Sequence, residues 1–178
     1  QKLSVTLSFA PGPKSRAAFR SVALAALIAT FAQVTLGGVV RVTDAGLGCP
    51  DWPLCHGRII PPFDLATLIE YSHRLSASVV GILVLATAVL GWAVYRGVGW
   101  VVVPSVLGLV LVIVAAALGG VTVLTELAWE WVLVHLAVGE LLVACMVVVT
   151  VASWRAREKP SVLETGPVFD GKTNLLVM

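Results

Sequence analysis

Charged side chains are what this sequence has least of. Of its 178 residues only 12% are Asp, Glu, Lys or Arg, against 58% hydrophobic residues, and a water-soluble surface carries about twice that charged share. The shortfall excludes an ordinary soluble domain. The net charge of +2 selects no partner class by itself, and no nucleic-acid partner is expected. Cysteine is scarce as well, with Cys49, Cys55 and Cys145 the full set.

In place of charge there are four apolar runs, from Ser21 to Val40, Leu75 to Tyr95, Val98 to Leu124 and Trp131 to Trp154, with Glu140 the only charge inside any of them. Each reaches the roughly 20 residues that a helix needs to cross a hydrocarbon core of about 30 Å. The fold class that follows is an all-α integral membrane protein, a four-transmembrane-helix bundle with spans at about 21–42, 67–96, 98–124 and 128–155. Residues 1–160 make one transmembrane domain. After Pro160 the periodicity stops, and residues 161–178 are expected to be an irregular cytoplasmic tail without chemistry.

Orientation is read from Lys and Arg, which stay on the cytoplasmic side of short loops. Lys2, Lys14, Arg16 and Arg20 precede the first span, Arg96 closes the second, and Arg155, Arg157 and Lys159 follow the fourth. Both termini are therefore expected to be cytoplasmic in a prokaryotic plasma membrane. The opposite side receives a long loop from about Thr43 to Ile69, a short turn near Glu126, and only Arg41, Arg58 and Arg74 as basic residues. A secretory signal peptide does not fit the first run, which has full spanning length and continues into Gly37, Gly38 and Arg41.

Two segments repeat. Leu36-Gly37-Gly38-Val39 ends the first span with Thr43 four residues on, and Leu118-Gly119-Gly120-Val121 ends the third with Thr125 at the same offset. Each precedes a span with a histidine near its outer end, so the bundle reads as two related helical hairpins. His73 and His135 then fall at similar depth. A histidine at membrane depth is costly unless it faces protein and does something, and the plain alternative is a helix-to-helix hydrogen bond. Haem suits the pair better than a bare metal ion, because two imidazoles cannot close a tetrahedral site and the apolar surroundings offer no convincing further ligands.

A macrocycle also needs clearance. Ser76 and Ala77 after His73, and Gly139 after His135, are expected to leave a notch beneath each imidazole, while the paired glycines allow either porphyrin or a neighbouring helix to approach. Glu70 lies three residues before His73 and four before Arg74, which makes it either a proton acceptor beside the porphyrin edge or half of an ion pair. Arg41, Arg58 and Arg74 are candidate partners for haem propionates. Cys49 and Cys55, six positions apart on the expected oxidising side, point to a disulfide that is either a redox element or a staple, with a metal site that includes His56 as the rival. Cys145 reads as an inert core residue. Glu140 lies about 140° around the helix from His135 and needs some other partner.

The segments Gly38-Val39-Val40-Arg41-Val42-Thr43, Gly46-Leu47-Gly48-Cys49-Pro50-Asp51-Trp52-Pro53-Leu54-Cys55-His56-Gly57 and Glu70-Tyr71-Ser72-His73-Arg74 resemble the haem A synthase family. Leu118 to Leu124 and Val134-His135-Leu136-Ala137 extend the likeness over about residues 20–155. The resemblance implies oxidation of the ring methyl of haem O to a formyl group through successive hydroxylations, with haem B and haem O as the haems in play and haem A as the product. It implies His73 and His135 as axial ligands, Glu70 as the catalytic carboxylate, and a Cys49–Cys55 disulfide with a redox role. Members of that family usually have eight helices in two halves, and this sequence supplies the half that carries the cysteine pair and the glutamate. A lone bundle is then expected to act as a homo-oligomer, with a haem O synthase and a membrane electron acceptor as further partners. The competing expectation is a non-catalytic b-type cytochrome or haem-handling subunit of a respiratory complex.

Overall fold

The computed structural model describes residues 12–156, so the tail expected over 161–178 lies outside the described residues. Four helices follow one another: α1 (Pro13–Val42), α2 (Leu65–Tyr95), α3 (Gly99–Leu124) and α4 (Trp129–Arg155). The shortest has 26 residues, about 39 Å at 1.5 Å per residue, and all four are long and apolar enough to cross a membrane. The protein is a multi-pass membrane protein. Among the described residues the only β pairing is an isolated bridge between Cys55 and Arg58.

Helix α1 begins at Pro13, a full two turns before the expected start near 21. The physical reason lies in the residues of those turns. Proline suits a helix start because its missing N–H has no intrahelical partner there, and Phe19 anchors the extension by burying completely against Tyr95, ring centroids 5.0 Å apart. The start of α2 is set by Asp64, whose carboxylate accepts the Thr67 amide at 3.0 Å.

The ends of α1 and α3 bear out the repeat atom by atom. Thr43 donates its hydroxyl to the Val39 carbonyl at 2.8 Å, and Thr125 donates to Val121 at the same distance. Asp44 and Glu126 then both adopt a φ of 52°, and the next amides, of Ala45 and Leu127, close on the carbonyls of Val40 and Thr122 at 3.0 and 2.8 Å. One terminating device is used twice.

The helices form a ring in which α1 packs on α2 and α4, and α3 on α2 and α4, leaving α2 and α4 diagonally opposed. The dry core of Phe19, Val84, Tyr95, Val101, Met146 and Val149 occupies the end nearest the chain termini, where the Ser153 carbonyl accepts from Arg20 Nε and the Tyr95 hydroxyl. Both histidines lie toward the other end. All six tryptophans are exposed, with Trp92, Trp100 and Trp154 at the core end and Trp52, Trp129 and Trp131 at the loop end, the two-belt placement of interfacial indoles.

Candidate functional site

His73 of α2 and His135 of α4 stand on the two diagonally opposed helices, each half-buried, with His73 packed on α1 and His135 on α3. Each imidazole is backed by the first glycine of the repeated pair. A Cβ on Gly37 would stand 3.1 Å from Cε1 of His73, and one on Gly119 would stand 3.4 Å from Cε1 of His135. The glycines therefore give clearance to the imidazole rings. The expected notches are filled differently: Ser76 hydrogen-bonds Gln33, and the space over Gly139 is taken by Val34 at 3.6 Å. Both fillers come from α1, a neighbour invisible to spacing along α2 or α4.

His135 donates Nδ1–H to the Ala115 carbonyl at 3.0 Å. A carbonyl can only accept, so this bond leaves Nε2 with a free lone pair. His73 has a side-chain partner instead, Gln33 of α1, which sequence reasoning missed. The Gln33 amide nitrogen donates to the His73 carbonyl at 3.0 Å and lies against its ring, 3.0 Å from Nδ1 and 3.4 Å from Nε2. One signal was available, since Gln33 is the only Asn or Gln within the four apolar runs.

The loop between α1 and α2 roofs this end of the bundle. Cys49 and Cys55 are joined as a disulfide, and both are buried. Trp52 reaches across to α3, where it lies on Gly120, and Leu127 of the second turn packs on Gly46. His56 is absorbed by the loop: its Nε2 donates to the Gly48 carbonyl at 2.8 Å, and its amide donates to Asp51. Among the described residues no group of three His, Cys, Asp or Glu is placed to hold a metal ion. The donor set among the described residues, two half-buried imidazoles, is of a kind that could ligate a haem iron.

Arg74 organises the roof. Its Nε donates to Glu70 at 2.9 Å, Nη1 to the carbonyls of Asp51 and Leu54 at 2.6 and 2.9 Å, and Nη2 to that of Cys49 at 2.8 Å. Four of the five guanidinium N–H groups are thus directed at protein. Glu70, only 5% exposed, is tied through this one side chain to the disulfide loop. Arg41 and Arg58 are exposed, with no side-chain hydrogen bond or ion pair among the described residues. Glu140 is exposed on α4, and Cys145 is half-buried beside the core.

Two predictions concern the roof. A Cβ on Gly48 would collide with the backbone of Ala66 and Thr67, which cannot yield without moving the start of α2. Gly48→Ala is expected to destabilise the protein by about 1–3 kcal/mol, read as a lowered melting temperature in detergent. Asp51 accepts the amides of His56 and Gly57 at 2.6 and 2.8 Å. The Gly57 bond, ahead of the others, holds its carboxyl below the usual carboxylate range. A depressed carboxylate stabilises the fold above its unfolded pKa, about 3.9, and that contribution is lost as pH falls through the folded value. Reduction of the disulfide by a phosphine is therefore expected to speed up in acid below about pH 4, and Asp51→Asn to abolish that step.

Residues 20–177 match the family model COX15-CtaA, described as cytochrome oxidase assembly protein. The chain belongs to the COX15-CtaA family. It is 43% identical over 103 residues to "Heme A synthase" of Bacillus pumilus, a match that takes in 53% of this chain and 34% of the relative. Against the protein of the same name from Bacillus licheniformis it is 29% identical over 143 residues, 80% of this chain and 47% of the relative. A third, from Exiguobacterium sibiricum, is 55% identical over 53 residues, 29% of this chain and 18% of the relative. The COX15-CtaA chain thus spans less than half the length of the curated relatives it matches.

Proposed function

We propose that this COX15-CtaA protein is a haem A synthase, a membrane oxidoreductase that converts the ring methyl of haem O to a formyl group. The observation that carries the reading is the conjunction at one end of the bundle: a half-buried imidazole on each of two diagonally placed helices, a buried carboxylate three residues from one of them, and a disulfide loop anchored to that carboxylate through Arg74. The relatives that share these segments are named Heme A synthase, which supports the same activity here.

In this reading His73 and His135 would hold the haem iron. Haem iron, when bound, supplies the redox chemistry, and the remaining work falls to the protein. Glu70, oriented by Arg74 Nε, takes up the proton released at the macrocycle edge or steadies positive charge that develops there. Arg41 and Arg58 have their guanidinium groups available for the propionates, whereas Arg74 serves mainly to fix Glu70 and the roof. In this reading the roof keeps water from the reacting edge, and the Cys49–Cys55 disulfide, buried within that roof, has the redox role that the family likeness implies. Haem O synthase as supplier, a membrane electron acceptor, and assembly into a homo-oligomer belong to the same proposal, as does a plasma-membrane orientation with both termini cytoplasmic.

The test is co-expression with a haem O synthase in a host that lacks its own haem A. Extracted haem is separated by chromatography and weighed by mass spectrometry. The hydroxylated or formyl haem is expected; haem O alone, in the presence of folded protein, overturns the assignment and leaves the b-type cytochrome.

A further inference from the structure

A cleft of about 250 Å³ lies between α1 and α2 on the core side of His73. On α1 it is lined by Ala29, Ala32 and Gln33, and on α2 by Ser76, Val79 and Val80, each set at the spacing of one helix face. Ala32 and Val79 are exposed, so the cleft opens toward lipid. Its polar side chains, Gln33 and Ser76, are hydrogen-bonded to one another at the histidine end, where the Gln33 amide lies against the His73 ring. The other lining residues are alanine, valine and leucine. The repeat supplies an internal comparison. At the offset that carries Gly37 onto Gly119, Ala29, Ala32 and Gln33 correspond to Leu111, Val114 and Ala115. At the offset that carries His73 onto His135, Ser76, Val79 and Val80 correspond to Val138, Leu141 and Leu142. Every exchange either enlarges an apolar side chain or removes a polar group. The clearance and the polar end are therefore departures from the repeat, confined to the hairpin that carries Glu70.

Polar groups at membrane depth are kept where they face protein or something bound, and a groove that is polar at one end and apolar along the rest selects a ligand with the same order. Haem O has that order. It differs from haem B by a side chain that carries a hydroxyl on the carbon next to the macrocycle and continues as an isoprenoid hydrocarbon. We propose that the cleft between α1 and α2 holds this isoprenoid tail, with the hydroxyl at the Gln33–Ser76 end, and that Ala29 and Ala32 make the protein select haem O over haem B. The inference rests on haem O as the substrate and adds the site that recognises it. An ordinary lipid chain matches the apolar part of the cleft and has no group for its polar end.

The experiment purifies the full chain from cells that make both haems and measures, by chromatography, the ratio of isoprenoid haems (haem O and its oxidised products) to haem B in the protein and in the membranes it came from. Wild type is expected to enrich the isoprenoid haems. The double variant Ala29→Leu, Ala32→Val, which installs the residues of the second hairpin, is expected to lower that enrichment about tenfold, as crowding of an occupied apolar site by a few methyl groups does, with total haem per protein unchanged. Ala25→Leu adds bulk at another exposed position of α1, outside the cleft, and should leave the enrichment at the wild-type value. A wild-type protein that takes the two haems in the ratio of the membrane overturns the proposal without any substitution. Unchanged enrichment in the double variant, or an equal loss of both haems, overturns it too and leaves the cleft as a crevice for lipid or a packing element beside His73, while the haem reading stands. A wild-type protein without a Soret band overturns both.

Discussion

Replacing Glu70 with glutamine is expected to leave haem in the protein and to suppress its oxidised product by a factor of about 10²–10⁴, the range attributed to a positioned acid or base. The substitution isolates charge from shape. Among the described residues Glu70 has one side-chain hydrogen-bond partner, Arg74 Nε at 2.9 Å, and it is nearly fully buried. Glutamine keeps the size and presents an oxygen to the same N–H, so α2 and the roof have no reason to move. The Soret band and melting temperature should stay close to wild type while haem O accumulates. Product at the wild-type ratio would remove Glu70 from the chemistry and reduce it to an anchor for Arg74.

The second large effect concerns the two histidines, which are not expected to behave alike. His135→Ala should cut haem occupancy of the purified protein to about a tenth or less, because it removes the imidazole whose Nε2 is already free to ligate. His73→Ala should retain substantial haem, now high-spin, since His135 still holds the iron. The bundle survives either change, because its dry core lies toward the opposite end, around Phe19, Tyr95 and Met146. Haem content per protein, from a pyridine haemochrome assay, reads the difference. Equal losses in the two variants would mean that the histidines share the load and that their different hydrogen bonds carry no consequence.

The architecture was legible because lipid imposes a simple rule. A span must satisfy its own backbone and shed its charge, and four runs do so in plain view. The repeat was legible because helix termination is local: Gly-Gly, a threonine and a left-handed residue lie within nine positions in both hairpins. The ion pair between Glu70 and Arg74 was visible for the same reason, being one turn apart on α2. What escaped depends on how one helix lies against another. Nothing in the spacing of α2 announces that Gln33, forty residues earlier, faces His73, or that Val34 fills the space over Gly139. Trp52 on Gly120 and Arg74 on three loop carbonyls are likewise settled by packing between distant segments. Helix α1 runs beyond the apolar stretch because hydropathy marks the membrane, whereas Pro13 and Phe19 carry the helix past it.

The central claim is that His73 and His135 grip one iron within the bundle. Absorption and low-temperature electron paramagnetic resonance spectra of the purified wild-type protein test it most directly. The account predicts a Soret band together with a ferric signal that contains a bis-imidazole low-spin component, lost from both single-alanine variants. A colourless preparation, or a low-spin signal that persists when either histidine is replaced, would contradict it.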